Sequence, residues 1–250
     1  MQAELKEYWG ERSNSYSCEN IAEMNSWKQD AWRKLILSYA PKKDTLKILD
    51  VGTGPGFFTI NLSLAGHEVC GIDVTKEMLS HARENAKAYG TVADFVQYDG
   101  VNVPFEDETF DLVISRNVVW NLEKPIDSMK EWKRVLKKGG RILYFDSAWY
   151  YYLYDDEAMR RHLEVQQRLI DSGKENGEHH LVSERAKRCE EIAKNLVLSK
   201  EKRPEWDVDA MNEIGMDLIC LNENIGDFVW DESERMSFED KPMFMVCAEK

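Results

Sequence analysis

A glycine-rich segment near residue 50 has the clearest chemical meaning in this sequence. Residues 48–57 read as an apolar strand, a turn containing three glycines and the start of a helix. Glycine tolerates positive φ angles and lets a ligand approach the main chain closely. In an open α/β sheet, ligands bind beyond the carboxyl ends of the strands. We therefore predict that this turn forms the floor of a ligand site, with these residues: Asp50, Gly52, Thr53, Gly54, Pro55 and Gly56.

The spacing of the glycines argues against a ligand held by its phosphates. The dinucleotide fingerprint requires a glycine three residues after Gly54, and this chain has Phe57 there. The phosphate-loop pattern also fails, because no Gly-Lys-Ser/Thr follows the turn. A ligand without phosphates is therefore favoured. The turn alone is equally consistent with an ordinary tight connection between a strand and a helix.

Two further acids strengthen the case for a ligand. Asp73 ends the second predicted strand, 23 residues after Asp50, and Asp99 ends the third. An acid at the end of the second strand can accept hydrogen bonds from ribose hydroxyls. Asp99 could accept one from an adenine amino group. Each acid alone is common at a strand end, but three at one sheet edge favour a nucleoside ligand.

Short apolar runs alternating with helical patterns predict the elements that position these residues. The pattern is typical of a doubly wound α/β fold with a mostly parallel sheet. Gly139 and Gly140 are predicted to end the helix that starts at Pro125. Asp207 is predicted to cap a later helix. The expected strands, seven in number, are at 47–51, 67–72, 94–98, 110–115, 141–145, 216–221 and 243–248.

The alternation is interrupted between the fifth and sixth strands. Residues 147–203 predict two amphipathic helices, near 156–171 and 183–197, joined by a polar loop. We interpret this segment as a helical insertion that caps the acceptor side of a single domain spanning 1–250.

Four ordered segments resemble the class I S-adenosylmethionine-dependent methyltransferases, the group that includes the ubiquinone/menaquinone C-methyltransferases. They lie at 49–56, 71–74, 99–113 and 134–141, and the similarity covers roughly residues 45–146, with a weaker echo at 204–248. The resemblance implies a Rossmann-like fold, S-adenosyl-L-methionine as cofactor and S-adenosyl-L-homocysteine as product.

The resemblance also implies roles for individual residues. The turn with Asp50 would face the amino-acid part of the cofactor, and Asp73 the ribose. An N-terminal helix near Tyr8 to Tyr16 would cover the cofactor, as in many relatives. Beyond the turn, the cofactor residues implied are Tyr16, Asp73, Val74, Met78, Asp99, Gly100, Val101, Arg116 and Asn117.

The methyl acceptor is predicted to lie under the insertion. The aromatic residues after the fifth strand suit a small-molecule pocket, but they could equally be a hinge that docks the insertion. Trp120 could contact the sulfonium or belong to the core. Relatives often have a histidine where this chain has residues 118–121, so that role is not transferred. The candidate substrate contacts are Trp120, Trp149, Tyr150 and Tyr151.

A catalytic base is needed only if the acceptor must lose a proton. His179 and His180, in the polar loop, are candidate bases. Asp146, at the end of the fifth strand, is favoured over them as a polar contact to the acceptor. No metal site is predicted.

The composition of the chain limits the kinds of molecule that it is expected to bind. The formal net charge of −13 disfavours binding to a nucleic-acid backbone. No apolar run approaches the ~20 residues of a membrane span, and the first residues are polar. We expect a cytoplasmic monomer or homodimer that methylates a small molecule. The alternatives are a non-catalytic S-adenosylmethionine-binding module and an RNA or protein methyltransferase.

Overall fold

The computed structural model describes residues 2–173 and 184–250. Seven strands form one sheet in the order β3-β2-β1-β4-β5-β7-β6, and β7 runs antiparallel to both of its neighbours. The predicted doubly wound, mostly parallel sheet is therefore confirmed. The strands are β1 (Lys47–Val51), β2 (Glu68–Asp73), β3 (Asp94–Gln97), β4 (Phe110–Arg116), β5 (Leu136–Asp146), β6 (Asp217–Asn222) and β7 (Phe244–Glu249).

Helices cover both faces of the sheet. One apolar layer centres on Trp32, Phe58 and Phe145, and the other contains Trp132 and Met211. Because both faces of the central strands are covered, six successive residues of β4 are buried, and its centre, 112–114, is a continuous apolar run rather than an alternating one. The helices are α1 (Gln2–Met24), α2 (Lys28–Tyr39), α3 (Phe57–Leu64), α4 (Lys76–Ala88), α5 (Pro125–Val135), α6 (Asp156–Asp171), α7 (Glu184–Ala193), α8 (Glu205–Glu213), α9 (Gly226–Val229) and α10 (Glu232–Ser237).

The insertion follows the predicted outline. Its first helix has the expected bounds, whereas the second, α7, ends at Ala193 and a short 3-10 turn follows at Val197–Ser199. Nowhere in the two described ranges is a helix long and apolar enough to cross a membrane.

Two predicted helix boundaries are wrong. The helix that begins at Pro125 ends at Val135 rather than at Gly139 and Gly140, because Leu136 is fully buried and already pairs with Phe110 in β4. Leu136 continues the helical spacing of apolar residues, so periodicity alone cannot detect this change. Asp207 is not a cap, because α8 begins two residues earlier and the Asp207 side chain is buried in the first turn.

A buried ionic network explains the position of Asp207. The Arg203 guanidinium donates to both carboxylate oxygens of Asp207 at 2.9 and 2.5 Å and to Asp146 Oδ2 at 3.1 Å. The Tyr144 hydroxyl donates to Asp207 Oδ1 at 2.7 Å. All three charged side chains are at most 1% exposed. The network therefore fixes the end of the insertion against the carboxyl end of β5.

Replacing Arg203 with methionine should destabilise the protein strongly. The change removes the cation that Asp146 and Asp207 share, and breaking a buried pair in this way costs about 3–5 kcal/mol. Urea unfolding at pH 7 would measure the loss. The matched control is Arg168→Met, whose pair with Glu239 is more than half exposed on both sides and should cost less than about 1 kcal/mol. Equal losses in the two variants would contradict the importance of the network.

Candidate functional site

A cavity opens at the carboxyl ends of β1, β2 and β4. Its free space is about 860 Å³ when the open solvent at the mouth is included. The strand side supplies Gly52, Gly54, Asp73, Val74, Thr75, Met78, Tyr98, Gly100, Val101, Arg116, Asn117 and Val118. The other lining residues are Leu5, Lys6, Trp9 and Tyr16 of α1 and the segment Asn121, Leu122 and Glu123.

The glycine turn reaches the cavity through two residues. Gly52 and Gly54 both have positive φ angles, of 67° and 54°. A Cβ atom on Gly52 would lie 2.3 Å from Val118 Cγ2, closer than atoms can approach, so the position requires glycine. Thr53, Pro55 and Gly56 belong to the same turn but do not line the cavity.

Asp50 holds the turn rather than facing the cavity. Its Oδ2 accepts hydrogen bonds from the Thr53 hydroxyl at 2.7 Å and from the Thr59 hydroxyl and amide at 2.8 and 3.1 Å. Burial raises the pKa of Asp50 to about 6, although these hydrogen bonds act in the opposite direction. The acid predicted to face the cofactor therefore shapes the loop that lines the site.

Asp73 joins the turn to the next helix. Its Oδ2 accepts from the Gly54 amide at 3.0 Å, and its Oδ1 accepts from the Thr75 amide at 2.8 Å. Burial raises the pKa of Asp73, while these backbone donors lower it. A carboxylate offers about four lone-pair sites, so each oxygen keeps capacity for a ligand hydroxyl.

The segment after β3 lines the cavity with Gly100 and Val101 rather than with the carboxylate of Asp99. Asp99 is exposed, and its oxygens accept from the Asn102 side chain at 2.6 Å and from the amides of Val101 and Asn102. The Asn102 hydrogen bond, more than any other contact, lowers the pKa of Asp99. Gly100 and Val101 line the cavity, whereas Asp99 does not. The sequence interpretation missed Tyr98, which also lines it.

Arg116 ends β4 as a buried cation beside the cavity. Its two terminal nitrogens donate to the Glu23 carboxylate at 2.7 and 3.0 Å, and its guanidinium lies over the rings of Trp32, Phe57 and Phe58. Burial lowers the pKa of Arg116, but Glu23 outweighs it and the pKa is raised. Glu23 stands 93 residues away in sequence, and no local pattern indicated this pairing.

The neighbouring Asn117 is held in an unusual conformation. Its φ angle is +58°, a region that few residues other than glycine adopt. Its main chain is anchored at both ends, because its amide donates to Phe145 O and its carbonyl accepts from Trp120 Nε1. The Oδ1 atom is buried without a hydrogen-bond partner in the described structure. Asn117 therefore presents an unused acceptor at the cavity wall.

The predicted N-terminal helix is longer than expected. Leu5, Lys6, Trp9 and Tyr16 of α1 line the cavity, so the prediction of a helix beside the site holds for its position. Tyr8 instead lies on another side of α1, buried against the insertion.

The structure does not bring the predicted acceptor residues to the cavity. Asp146 is fully buried, and its oxygens accept from Trp120 N, Ser147 N, Trp149 Nε1 and Arg203. This placement does not support the predicted contact between Asp146 and an acceptor. Its role is to fix the main chain after β4 next to the cavity-lining residue Asn121.

The aromatic residues of the insertion likewise do not line the cavity. Tyr150 donates to Cys189 Sγ at 3.0 Å, Trp149 packs on Phe238, and Trp120 packs on Tyr150. Tyr151 contacts Asp155 within the insertion. These contacts match the alternative reading of a docking hinge. His179 and His180 lie outside the described residues.

The segment that contains the glycine turn and Asp73 is also the one that is similar to known proteins. A family model described as a methyltransferase domain matches residues 49–144. A demethylmenaquinone methyltransferase from Staphylococcus saprophyticus is 36% identical over 120 residues, which are 47% of this chain and 51% of that protein. A malonyl-[acyl-carrier protein] O-methyltransferase from Erwinia pyrifoliae is 34% identical over 110 residues, which are 44% of this chain and 40% of that protein.

Solved structures are similar over a longer stretch. Phosphoethanolamine N-methyltransferase 2 of Haemonchus contortus, in complex with S-adenosyl-L-methionine, has a TM-score of 0.61 at 18% identity, covering 90% of this chain and 53% of that one. At this identity the likeness concerns the fold alone.

Together these matches confirm that residues 49–144 belong to the class I S-adenosylmethionine-dependent methyltransferases, as the sequence motifs predicted. The cofactor of that family is S-adenosylmethionine, in agreement with the prediction. The chain spans about half the length, or less, of these two curated relatives.

The buried carboxyl of Asp50 should give the protein a measurable pH dependence. Its pKa of about 6 in the fold exceeds the ordinary 3.8, so the folded state binds this proton more tightly than the unfolded state. The free energy of unfolding should therefore fall as pH rises from about 4 to about 6 and level off above. Asp50→Asn keeps an acceptor oxygen but cannot ionise. Between pH 4 and pH 7, the difference in the free energy of unfolding between variant and wild type should therefore shift by up to about 3 kcal/mol in favour of the variant.

Urea unfolding of both proteins at pH 4, 5, 6 and 7 would measure this difference. Subtracting the two profiles removes the contribution of the other titrating groups. If the free energies of unfolding of the two proteins change in parallel across this pH range, the pKa of Asp50 is not raised by burial and the prediction is wrong.

Proposed function

We propose that this protein is an S-adenosylmethionine-dependent methyltransferase that transfers a methyl group to a small-molecule acceptor. The observation that carries the proposal is the junction of the glycine turn with Asp73 in one cavity, inside the segment that matches the methyltransferase family. The turn brings main chain close to the ligand, and Asp73 supplies the carboxylate for ribose hydroxyls.

The residues around the cavity fit the two ends of this cofactor. At the adenosyl end, Asp73 has unused lone pairs, Val74 and Met78 supply apolar surface, and Gly100 and Val101 supply main chain. At the other end, the unpartnered Oδ1 of Asn117 suits an ammonium group. Arg116, the preceding residue, also lines the cavity and suits the carboxylate group of the cofactor.

When bound, S-adenosylmethionine supplies an electrophilic methyl group on its sulfonium. The chain's own contribution is position: a fixed turn, a fixed Asp73 and the wall of α1 hold the reacting groups in line and limit access of water. Alignment of this kind accounts for a large part of the rate in such displacements. No protein nucleophile is required, and a base is needed only for an acceptor that carries a proton to be removed.

Three observations support a small-molecule acceptor. The cavity lining includes the apolar side chains of Leu5, Trp9 and Leu122, together with the charged residues Lys6 and Glu123. One curated relative is named for demethylmenaquinone, which is a small molecule. The net charge of −13 disfavours RNA. The other relative, named for malonyl-[acyl-carrier protein], makes a carrier-bound acyl group the main competitor.

Substituting Asp73 with alanine should abolish most of the cofactor binding. S-adenosylhomocysteine at millimolar concentration should raise the melting temperature of the wild type by mass action. Asp73→Ala should lose most of that rise, because the ribose loses its acceptor and the Gly54 amide loses its partner. Asp94→Ala, at the exposed beginning of β3, is the matched control and should keep the full rise.

The melting temperatures without ligand separate loss of binding from loss of folding in these variants. If S-adenosylhomocysteine leaves the wild-type melting curve unchanged, the proposed cofactor is wrong.

The acceptor class can be tested directly with cofactor labelled in its methyl group. The protein is incubated with a cell extract, which is then separated into small molecules, RNA and protein. We expect label among the small molecules. Label confined to RNA or protein would contradict the proposed acceptor, and tight cofactor binding without transfer to any fraction would identify a non-catalytic binding module.

A further inference from the structure

The helix that walls the cavity is also the helix against which the insertion packs. Leu5, Lys6 and Trp9 of α1 line the cavity. On neighbouring positions of the same turns, Tyr8 and Glu11 contact α7. The described part of the insertion, 147–173 and 184–203, contributes no residue to the cavity wall. These residues reach the site through α1 and also through Trp120, which packs on Tyr150 and precedes the lining residue Asn121. The contact with α1 is the one that involves the cavity-lining residue Leu5 directly.

The contact between α1 and α7 has a buried apolar centre. Leu5 and Tyr8 pack with Cys189, Ile192 and Leu196 in one cluster. The Tyr150 hydroxyl donates to Cys189 Sγ at 3.0 Å from the far side. Burial, followed by the neighbouring Cys189 thiol, raises the pKa of Tyr8 to about 12, so its phenol is neutral at physiological pH. Leu5 belongs both to this cluster and to the cavity wall, so the two are in direct contact.

A charged contact borders the apolar centre. Arg188 of α7 lies 2.5 Å from Glu11 Oε2 and 3.6 Å from Glu7 Oε2 of α1. Glu7 and Glu11 are one helical turn apart and repel each other in the absence of a cation. Arg188 offsets that repulsion and links the two helices at the level of Trp9. These side chains are partly exposed, so the contact is adjustable rather than rigid.

We propose that α7 holds α1 in place beside the cofactor, with Arg188 and Cys189 as positioning residues that control how fast the cofactor leaves. This inference rests on the proposed function, because it requires the cavity to bind S-adenosylmethionine or its product. The described part of the insertion, which does not line the cavity, then regulates cofactor exchange through α1. A displacement of α7 would move Leu5 and Trp9 outward and open the wall.

The test compares the dissociation rate of S-adenosylhomocysteine from full-length variants, measured by surface plasmon resonance on the immobilised protein. Arg188→Glu places a third acid beside Glu7 and Glu11, and the product should dissociate at least about fivefold faster than from wild type. Lys187→Glu makes the same change of charge one residue away. Its partner Glu184 lies within α7, so the rate should stay at the wild-type value.

A charge exchange provides the rescue. Arg188→Glu combined with Glu11→Arg restores an opposite-charge pair between the helices, and the dissociation rate should return most of the way to the wild-type value. A purely structural role of Arg188 would appear as a lower melting temperature without any restoration by the exchange. Melting curves of all variants without ligand are therefore recorded alongside the rates.

The outcomes separate this inference from the function on which it rests. If the wild type fails to bind S-adenosylhomocysteine, the proposed function fails and this inference with it. If the wild type binds, but Arg188→Glu and Lys187→Glu release the product at the same rate, only the positioning role is overturned. The positioning role would also be overturned if the double variant, Arg188→Glu with Glu11→Arg, released the product as fast as Arg188→Glu alone.

Discussion

Two hydrogen bonds to one buried carboxylate determine the shape of the cofactor end of the cavity. Asp73 binds the amide of Gly54 on one side and the amide of Thr75 on the other. The loop after β1 and the start of α4 therefore cannot move independently of the end of β2. Without these donors, a carboxylate this deeply buried would be expensive to keep ionised. Glycine at position 54 follows from the arrangement, since its φ angle is +54°.

The far end of the cavity depends on a charge pair that spans the chain. Arg116 is buried among three aromatic rings, and a lone cation there would be strongly unfavourable. Glu23 compensates it and also accepts a hydrogen bond from Trp32 Nε1 at 2.8 Å. The pair therefore fixes the carboxyl end of α1 over the end of β4. The amino half of α1 contacts two other parts of the molecule, the start of α4 at Gly10 and the helix α7 at Tyr8 and Glu11.

The sequence predicts the parts of the site that are local and misses those that are not. The strand, the glycine turn and Asp73 follow from patterns within about 25 residues. Val74, Met78 and Gly100, which the family motifs implied as cofactor contacts, line the cavity. Trp9 and Glu23 could not be identified, because nothing near them in sequence shows which strand α1 crosses. Asp146 was misjudged for the same reason: its partner Arg203 is 57 residues away.

The contrast between Asp73 and Asp146 explains how one sheet edge can carry acids with different roles. Both end strands, and both are buried. Asp146 is matched by Arg203, so its charge is compensated beneath the site, whereas Asp73 accepts hydrogen bonds from the neutral amides of Gly54 and Thr75. Among the described lining residues, Lys6 and Glu123 carry opposite formal charges, and Arg116 is paired with Glu23. The uncompensated charge of the cavity is then that of Asp73, which favours a cationic ligand. In the proposed reaction the sulfonium loses its positive charge on methyl transfer, so the same charge that favours the cofactor favours its product less and promotes exchange.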